Sequence, residues 1–331
     1  MKALHMIRPV AAMLIALLAA SGGAADFGTY GYDGAGNITA AGADRFTYDE
    51  FGRLRSAQIV TGSTTHAQTF TYDRYGNIRS ITSTGQPDQV PAVDEATNRI
   101  NAPTPATNVI GVYDAAGNVV TYNAATTFRY DPLDMVTESN LSGGTGIARS
   151  VYLYNASNER IATLKVAGST VVGAEWTLRD ASAKVLRRLS KDSAGTWRWE
   201  EDYIYRDAQM LAAEVPGNTH HFHLDHLGTP RVITGNGGAR ISTHTYAPFG
   251  RELTSSAQDT EKKKFTGHER DADNLDYMHA RYYVPFAGRF LSVDPVINFD
   301  RVMKNPQGWN RYAYVSNNPI NKTDPDGRDE Y

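Results

Sequence analysis

The chain has no cysteine in its 331 residues. That excludes disulfide staples, thiol nucleophiles and Cys-ligated metal sites, so an exported form must be held by packing and sheet pairing alone. It also lacks an excess of either charge: 33 Lys and Arg stand against 36 Asp and Glu, a net charge of −3. A basic nucleic-acid-binding face is therefore not expected. Long apolar runs are missing too, apart from Pro9–Ala20 (PVAAMLIALLAA), which is too short to span a bilayer comfortably. Lys2 and Arg8 lie at or before its start, and small residues from Ser21 to Ala25 follow it. That order is the pattern of a signal peptide over residues 1–25. The expected location is secreted, periplasmic or cell-surface, with no membrane span once the leader is removed. No phosphate loop, dinucleotide motif or Ser-His-Asp order is present, and no cofactor is expected.

What the chain does have is 29 Gly and 19 Tyr, the profile of many short strands joined by tight turns. One unit recurs: Tyr32-Asp33 with Gly36, Tyr48-Asp49 with Gly52, Tyr72-Asp73 with Gly76, and Tyr113-Asp114 with Gly117. Degenerate copies begin at Tyr130-Asp131 and Tyr154-Asn155, and an eroded one lies near Thr97–Ile100. Ahead of these turns, aromatic rings stand at i and i+2, as in Phe46/Tyr48, Phe70/Tyr72, Phe128/Tyr130, Tyr152/Tyr154 and Tyr203/Tyr205. That spacing puts both rings on one face of a strand. The Asp carboxylate can accept backbone N–H groups just downstream, Gly supplies a positive φ, and Ile, Leu or Val opens the next strand. Each unit therefore reads as a β-hairpin with one aromatic face. The irregular spacing argues against a strict solenoid and for a ribbon of hairpins that coils so that each buries its face on the next. A calcium loop would need more alternating oxygen ligands than Asp-x-x-Gly-Asn offers.

These repeats resemble the YD repeats of the Rhs, Tc-toxin C and teneurin families. The later sequence resembles the Rhs-associated core, through His223–Val232 (HLDHLGTPRV), Tyr246–Gly250, Phe265–Glu269, Leu275–Tyr283, Gly288–Pro295, Asn310–Pro319 and Asp324–Gly327. The resemblance covers nearly all of 27–328. It implies an all-β fold, a curled ribbon of hairpins forming a partial shell over 26–219, closed by a core over 220–328, with 329–331 a residual tail carrying no toxin domain. It implies a structural shell role in a toxin-delivery system, with other chains of such a system, or cell-surface glycans, as partners. In that family an aspartyl autoprotease in the core frees a toxin by cutting after Asp-Pro-x-Gly-Leu.

Asp294 and Asp324 would be the carboxylate pair of such a protease, able to act as base and acid on a peptide, with Arg289 or Arg281 orienting them. The cleavage site would fall at Gly327 and Arg328, with Arg328 where the family pattern has Leu. On residues alone each Asp-Pro is a turn dipeptide. His220, His221, His223 and His226 raise a zinc alternative, weighed against a structural cluster, and no metal is expected. Surplus rings allow glycan stacking, although rings ahead of tight turns are more often strand packing. For the leader, N-terminal sequencing of exported protein should find a start at Ala25 or Asp26; retention of Met1 overturns the signal peptide.

Overall fold

The structure, a computed structural model, describes residues 28–84, 92–102, 109–123, 126–141, 149–254, 261–271, 274–297 and 299–328. The expected leader (1–25) and tail (329–331) lie outside the described residues. The fold is all-β. Six strands between Tyr30 and Ser83 form a first sheet, and thirteen between Val109 and Thr243 form a second. A hairpin, Ala92–Asp94 with Arg99–Ala102, lies between them in the chain. A small four-stranded sheet spans Glu269 to Phe290. Strands pair with chain neighbours in sequential order and neither large sheet closes into a barrel. Pairing runs on to Arg240–Thr243, past the expected division at 219/220. Among the described residues no helix is long and apolar enough to cross a membrane.

The repeat turn has one geometry. The Asp33 N–H donates to Asn37 O at 2.9 Å, and Gly36 N–H donates to Asp33 O at 3.1 Å. Asp33 Oδ1 meanwhile accepts the N–H groups of Ala35 and Asn37 at 2.9 and 2.8 Å. This is a type I turn followed by a left-handed residue, the hairpin loop that shifts register by one residue. The shift appears beside each repeat Tyr, as at Thr47/Tyr48 and Thr71/Tyr72. Gly52, Gly76 and Gly117 hold the left-handed position with φ of 75, 79 and 96°. The same bonds recur at Asp49, Asp73, Asp131, Asn155, Asp180, Asp192 and Asp225. The last three lack a preceding Tyr, which hid them from a search for Tyr-Asp. The eroded copy closes one residue later, with Asn98 N–H donating to Asp94 O at 2.8 Å.

The repeat needs Tyr rather than Phe because its hydroxyl reaches the previous repeat. Tyr48 donates to Ile38 O at 2.7 Å, Tyr72 to Leu54 O at 2.6 Å, Tyr130 to Val119 O at 3.0 Å and Tyr154 to Val136 O at 2.7 Å. Each acceptor lies in the residue that opens the strand after the preceding turn. Burial pushes the Tyr48 phenol up to about 12, and those of Tyr72, Tyr130 and Tyr154 well above their usual value. The rings two residues earlier, Phe46, Phe70, Phe128 and Tyr152, are buried on the inner faces.

Those inner faces meet in the core. Ile38, Phe46, Leu54 and Phe70 of the first sheet pack with Phe249, Met278, Tyr283 and Tyr314. Val119, Phe128, Val136 and Tyr152 of the second pack with Tyr277, Tyr282, Val284 and Leu291. Alternate residues of the small sheet thus face opposite ways, and it is a wedge with both sides buried. The ribbon's ends are linked through His226, whose Nδ1 meets Tyr30 Oη at 3.1 Å and whose Nε2 meets Ile320 O at 2.7 Å. Since a carbonyl only accepts, Nε2 carries the proton and Nδ1 accepts from Tyr30. Tyr72→Phe should destabilise the chain by about 0.5–1.5 kcal/mol in urea titration. Tyr32, exposed at the first repeat, should tolerate the same change with no measurable loss.

Candidate functional site

Asp294 follows the last strand of the small sheet, Arg289–Phe290, and Asp324 lies in the C-terminal segment that crosses back over that sheet. Arg281 opens the strand Arg281–Val284 and joins them. Its Nη2 lies 2.9 Å from Asp294 Oδ2 and 2.9 Å from Asp324 Oδ2. Its Nε donates to Gly327 O at 2.5 Å, its Nη1 to Arg311 O at 3.2 Å, and its plane stacks 3.6 Å from the Phe290 ring centroid. A planar fork of fixed donors suits this buried position in a way a lysine would not. Burial pushes the Asp324 carboxyl up to about 6, although Arg281 and the Arg328 N–H oppose the rise. A carboxyl in that range can exchange a proton near neutral pH.

Asp324 shares two features of the repeat turn but not its backbone bonds. Its Oδ1 accepts the N–H of Arg328, four residues on, at 2.9 Å, and Gly327 is left-handed with φ of 72°. A Cβ at Gly327 would come within 2.0 Å of Met278 O, so the segment is pressed onto the small sheet. In the repeats the second carboxylate oxygen meets the side chain four residues on, as Asp33 Oδ2 meets Asn37 Nδ2 at 2.9 Å. Here that oxygen is given to Arg281, and the Arg328 side chain is exposed. Asp294 likewise makes its local turn bond, accepting the Val296 N–H at 2.8 Å. Each carboxylate thus keeps a bond to its own following backbone while both meet one Arg281 nitrogen. Asp294, Asp324, Arg281 and Arg328 also line a cavity of about 70 Å³ walled by Val296, Val302 and Val315, with room for more than one water.

Arg289 is placed elsewhere: its Nη2 donates to Asn98 O at 2.5 Å and its guanidinium stacks 5.0 Å from the Tyr312 ring centroid. It ties the core to the eroded repeat, and the orienting position belongs to Arg281. The histidines do not converge. His220 and His221 pair across the sheet with Ala213 and Thr234, His223 Nε2 lies 3.1 Å from Thr234 Oγ1, and His226 makes the two bonds above. Sequence reasoning missed Arg160, a buried arginine at the position where other repeats have Ile, Leu or Val. Its guanidinium meets Asp271 at 2.5 Å, Tyr282 Oη at 2.6 Å and Glu269 at 3.3 Å. A charged residue at a repeat's apolar position was the available signal. Removing one partner of such a buried group leaves the others uncompensated. Arg281→Met should therefore cost about 3–5 kcal/mol at pH 7.5 in urea titration. The loss should be smaller at pH 5, where Asp324 takes up a proton; an equal loss at both values overturns this.

Residues 45–320 match the family model described as teneurin YD-shell. Toxin subunit YenC2 of Yersinia entomophaga is 42% identical over 95 residues, covering 27% of this chain and 9% of its own length. The tRNA3(Ser)-specific nuclease WapA of Bacillus spizizenii is 29% identical over 220 residues, covering 65% and 9%. Double-stranded DNA deaminase toxin A of Burkholderia cenocepacia is 24% identical over 324 residues, covering 85% and 22%. The chain thus spans less than a quarter of each of these relatives. In the solved TcdB2–TccC3–Cdc42 structure, one chain shares the fold with a TM-score of 0.70 at 21% identity, over 90% of this chain and 17% of that one. With the repeat turn, the inter-repeat tyrosine bonds and the wedged core all present over the matched span, the chain belongs to the teneurin YD-shell family.

Proposed function

We propose that this chain is a structural shell-and-core unit of a secreted toxin-delivery system, working beside other chains of that system. The observation that carries this reading is the small sheet, buried on one side by the first repeat sheet and on the other by the second. Repeats that spend their inner faces on a plug form a wall rather than a pocket for a substrate. The solved structure named above contains TcdB2 together with TccC3, and a comparable toxin-system chain is the partner class. Mixing the purified chain with such chains from its own source should give a co-eluting complex in size-exclusion chromatography. Separate elution with every one of them overturns the partner assignment.

A second reading, self-cleavage near Gly327 and Arg328, is favoured by Asp294 and Asp324 sharing one Arg281 nitrogen. In it Asp294 would take a proton from water, Asp324 would supply one to the leaving nitrogen, and Arg281 would polarise a carbonyl. The peptide that these groups hold is Gly327–Arg328, its oxygen on Arg281 and its N–H on Asp324 Oδ1, one bond short of the cut that the family pattern places after residue 328. The Arg328 side chain is exposed at the rim of the cavity, and Arg281 already takes both carboxylates that a second buried guanidinium there would need. The native chain should therefore stay intact, with Tyr331 present by intact mass. Arg328→Leu with a reporter domain fused after Tyr331 should cleave, and Asp294→Asn should abolish that cleavage. A native chain already ending at Arg328, with Asp294→Asn blocking the loss, overturns the expectation of an intact chain.

A further inference from the structure

The core is fastened to the shell unevenly. The first two apolar clusters mix shell and core residues, whereas the third, built from Val185, Tyr203, Met210, Ala213, Phe222 and Ile233, draws on the second sheet alone. Between this cluster and the core lies a cavity of about 530 Å³, bordered by Val185, Tyr205 and Met210 on one side and by His268, Thr323 and Pro325 on the other. Beside it the two parts are joined by ionisable groups. Tyr203 Oη lies 2.7 Å from Glu201 Oε1 and 2.8 Å from Glu261 Oε1, with all three side chains buried. A phenol has one proton, so it can donate to only one of the two carboxylates. The other contact requires a proton on the carboxyl side. Glu201 is ion-paired with Arg188, which puts that proton on Glu261.

We propose that Glu201, Tyr203 and Glu261 form a proton-operated latch that fastens the far part of the thirteen-stranded sheet to the core, closed while the shared proton is present. Loss of the proton places two buried carboxylates against one phenol and releases core residues 261–264. The cavity beside Thr323–Pro325 then opens. The remaining charges at this junction are four cations and two carboxylates, each held in an ion pair. From the sheet come Glu175, Arg179 and Arg188; from the core come Lys262, Lys263 and Glu269. Tyr205 also faces the junction, and burial, then the nearby carboxylates, hold its phenol well above its usual value, so it stays neutral. His268, on the cavity wall, is held neutral by burial with its pKa down near 3. Neither ring titrates between pH 6 and 8.5. Burial, then the neighbouring Glu201, pushes the Glu261 carboxyl up to about 7. A raised carboxyl stabilises the closed form below its unfolded value near 4.3, and that stability is lost as pH rises through about 7.

Amide hydrogen exchange of the full chain, corrected for the intrinsic pH dependence, tests this between pH 6 and 8.5. Protection of 261–264 and 323–327 should fall by up to about tenfold per pH unit above the midpoint. In Glu261→Gln, whose amide reproduces the protonated carboxyl, it should stay level. Carboxyl carbon-13 NMR of the unaltered chain gives a readout independent of the variant: a glutamate resonance should titrate with a midpoint near 7. Parallel exchange in the two proteins, or all glutamates titrating near 4, overturns the latch.

Discussion

The two apolar clusters that join shell to core both depend on the small sheet from Glu269 to Phe290, which has no face turned to water. Tyr277 and Tyr282 point into one repeat sheet while Met278 and Tyr283 point into the other. Neither large sheet can cover its own aromatic inner face, because a single antiparallel layer has nothing to pack against. The wedge supplies that surface to both. Where they meet the wedge, the inner faces of the shell and the plug share their apolar clusters, and the burial that stabilises those repeats also positions Arg281.

The second organising element is the five-residue turn. Its bonds use one carboxylate oxygen for two backbone N–H groups and leave the other free for a side chain. In the repeats that second oxygen serves the turn's own residue. At Asp324 it serves Arg281 and, through Arg281, Asp294. The candidate site therefore keeps the repeat's Asp-to-N–H bond and left-handed Gly, without its backbone turn bonds, where the C-terminal segment passes over the wedge. The local Asp-to-N–H bonds and the shared Arg281 contact are thus compatible descriptions of the same atoms.

Charge is distributed with the same economy. Where a repeat keeps Ile, Leu or Val after its turn, the contact with the core is apolar; where Arg160 stands instead, the contact is an ion-pair cluster with Asp271 and Glu269. Beyond it, toward Glu175, Glu201 and Glu261, the junction becomes increasingly ionisable and a cavity replaces close packing. Apolar burial does not respond to pH in the physiological range, but a junction of carboxyl groups does. The molecule thus has one end held by hydrophobic contact and another held partly by protons.

The hairpins, their aromatic inner faces and the left-handed glycines were legible because they depend on residues close together in the chain. A ring at i+2, an Asp at the turn and a Gly three residues later are enforced by local backbone geometry. Copies such as Asp180–Lys184 escaped notice because the turn requires Asp and a left-handed residue but not the Tyr, which answers to the neighbouring repeat. The pair Asp294 and Asp324 was suggested by resemblance, yet their thirty-residue separation carries no local information on distance. Choosing Arg281 over Arg289 was likewise beyond a linear reading. Both are buried arginines at the edges of neighbouring strands, and only the packing of the C-terminal segment over the small sheet decides which one meets the carboxylates.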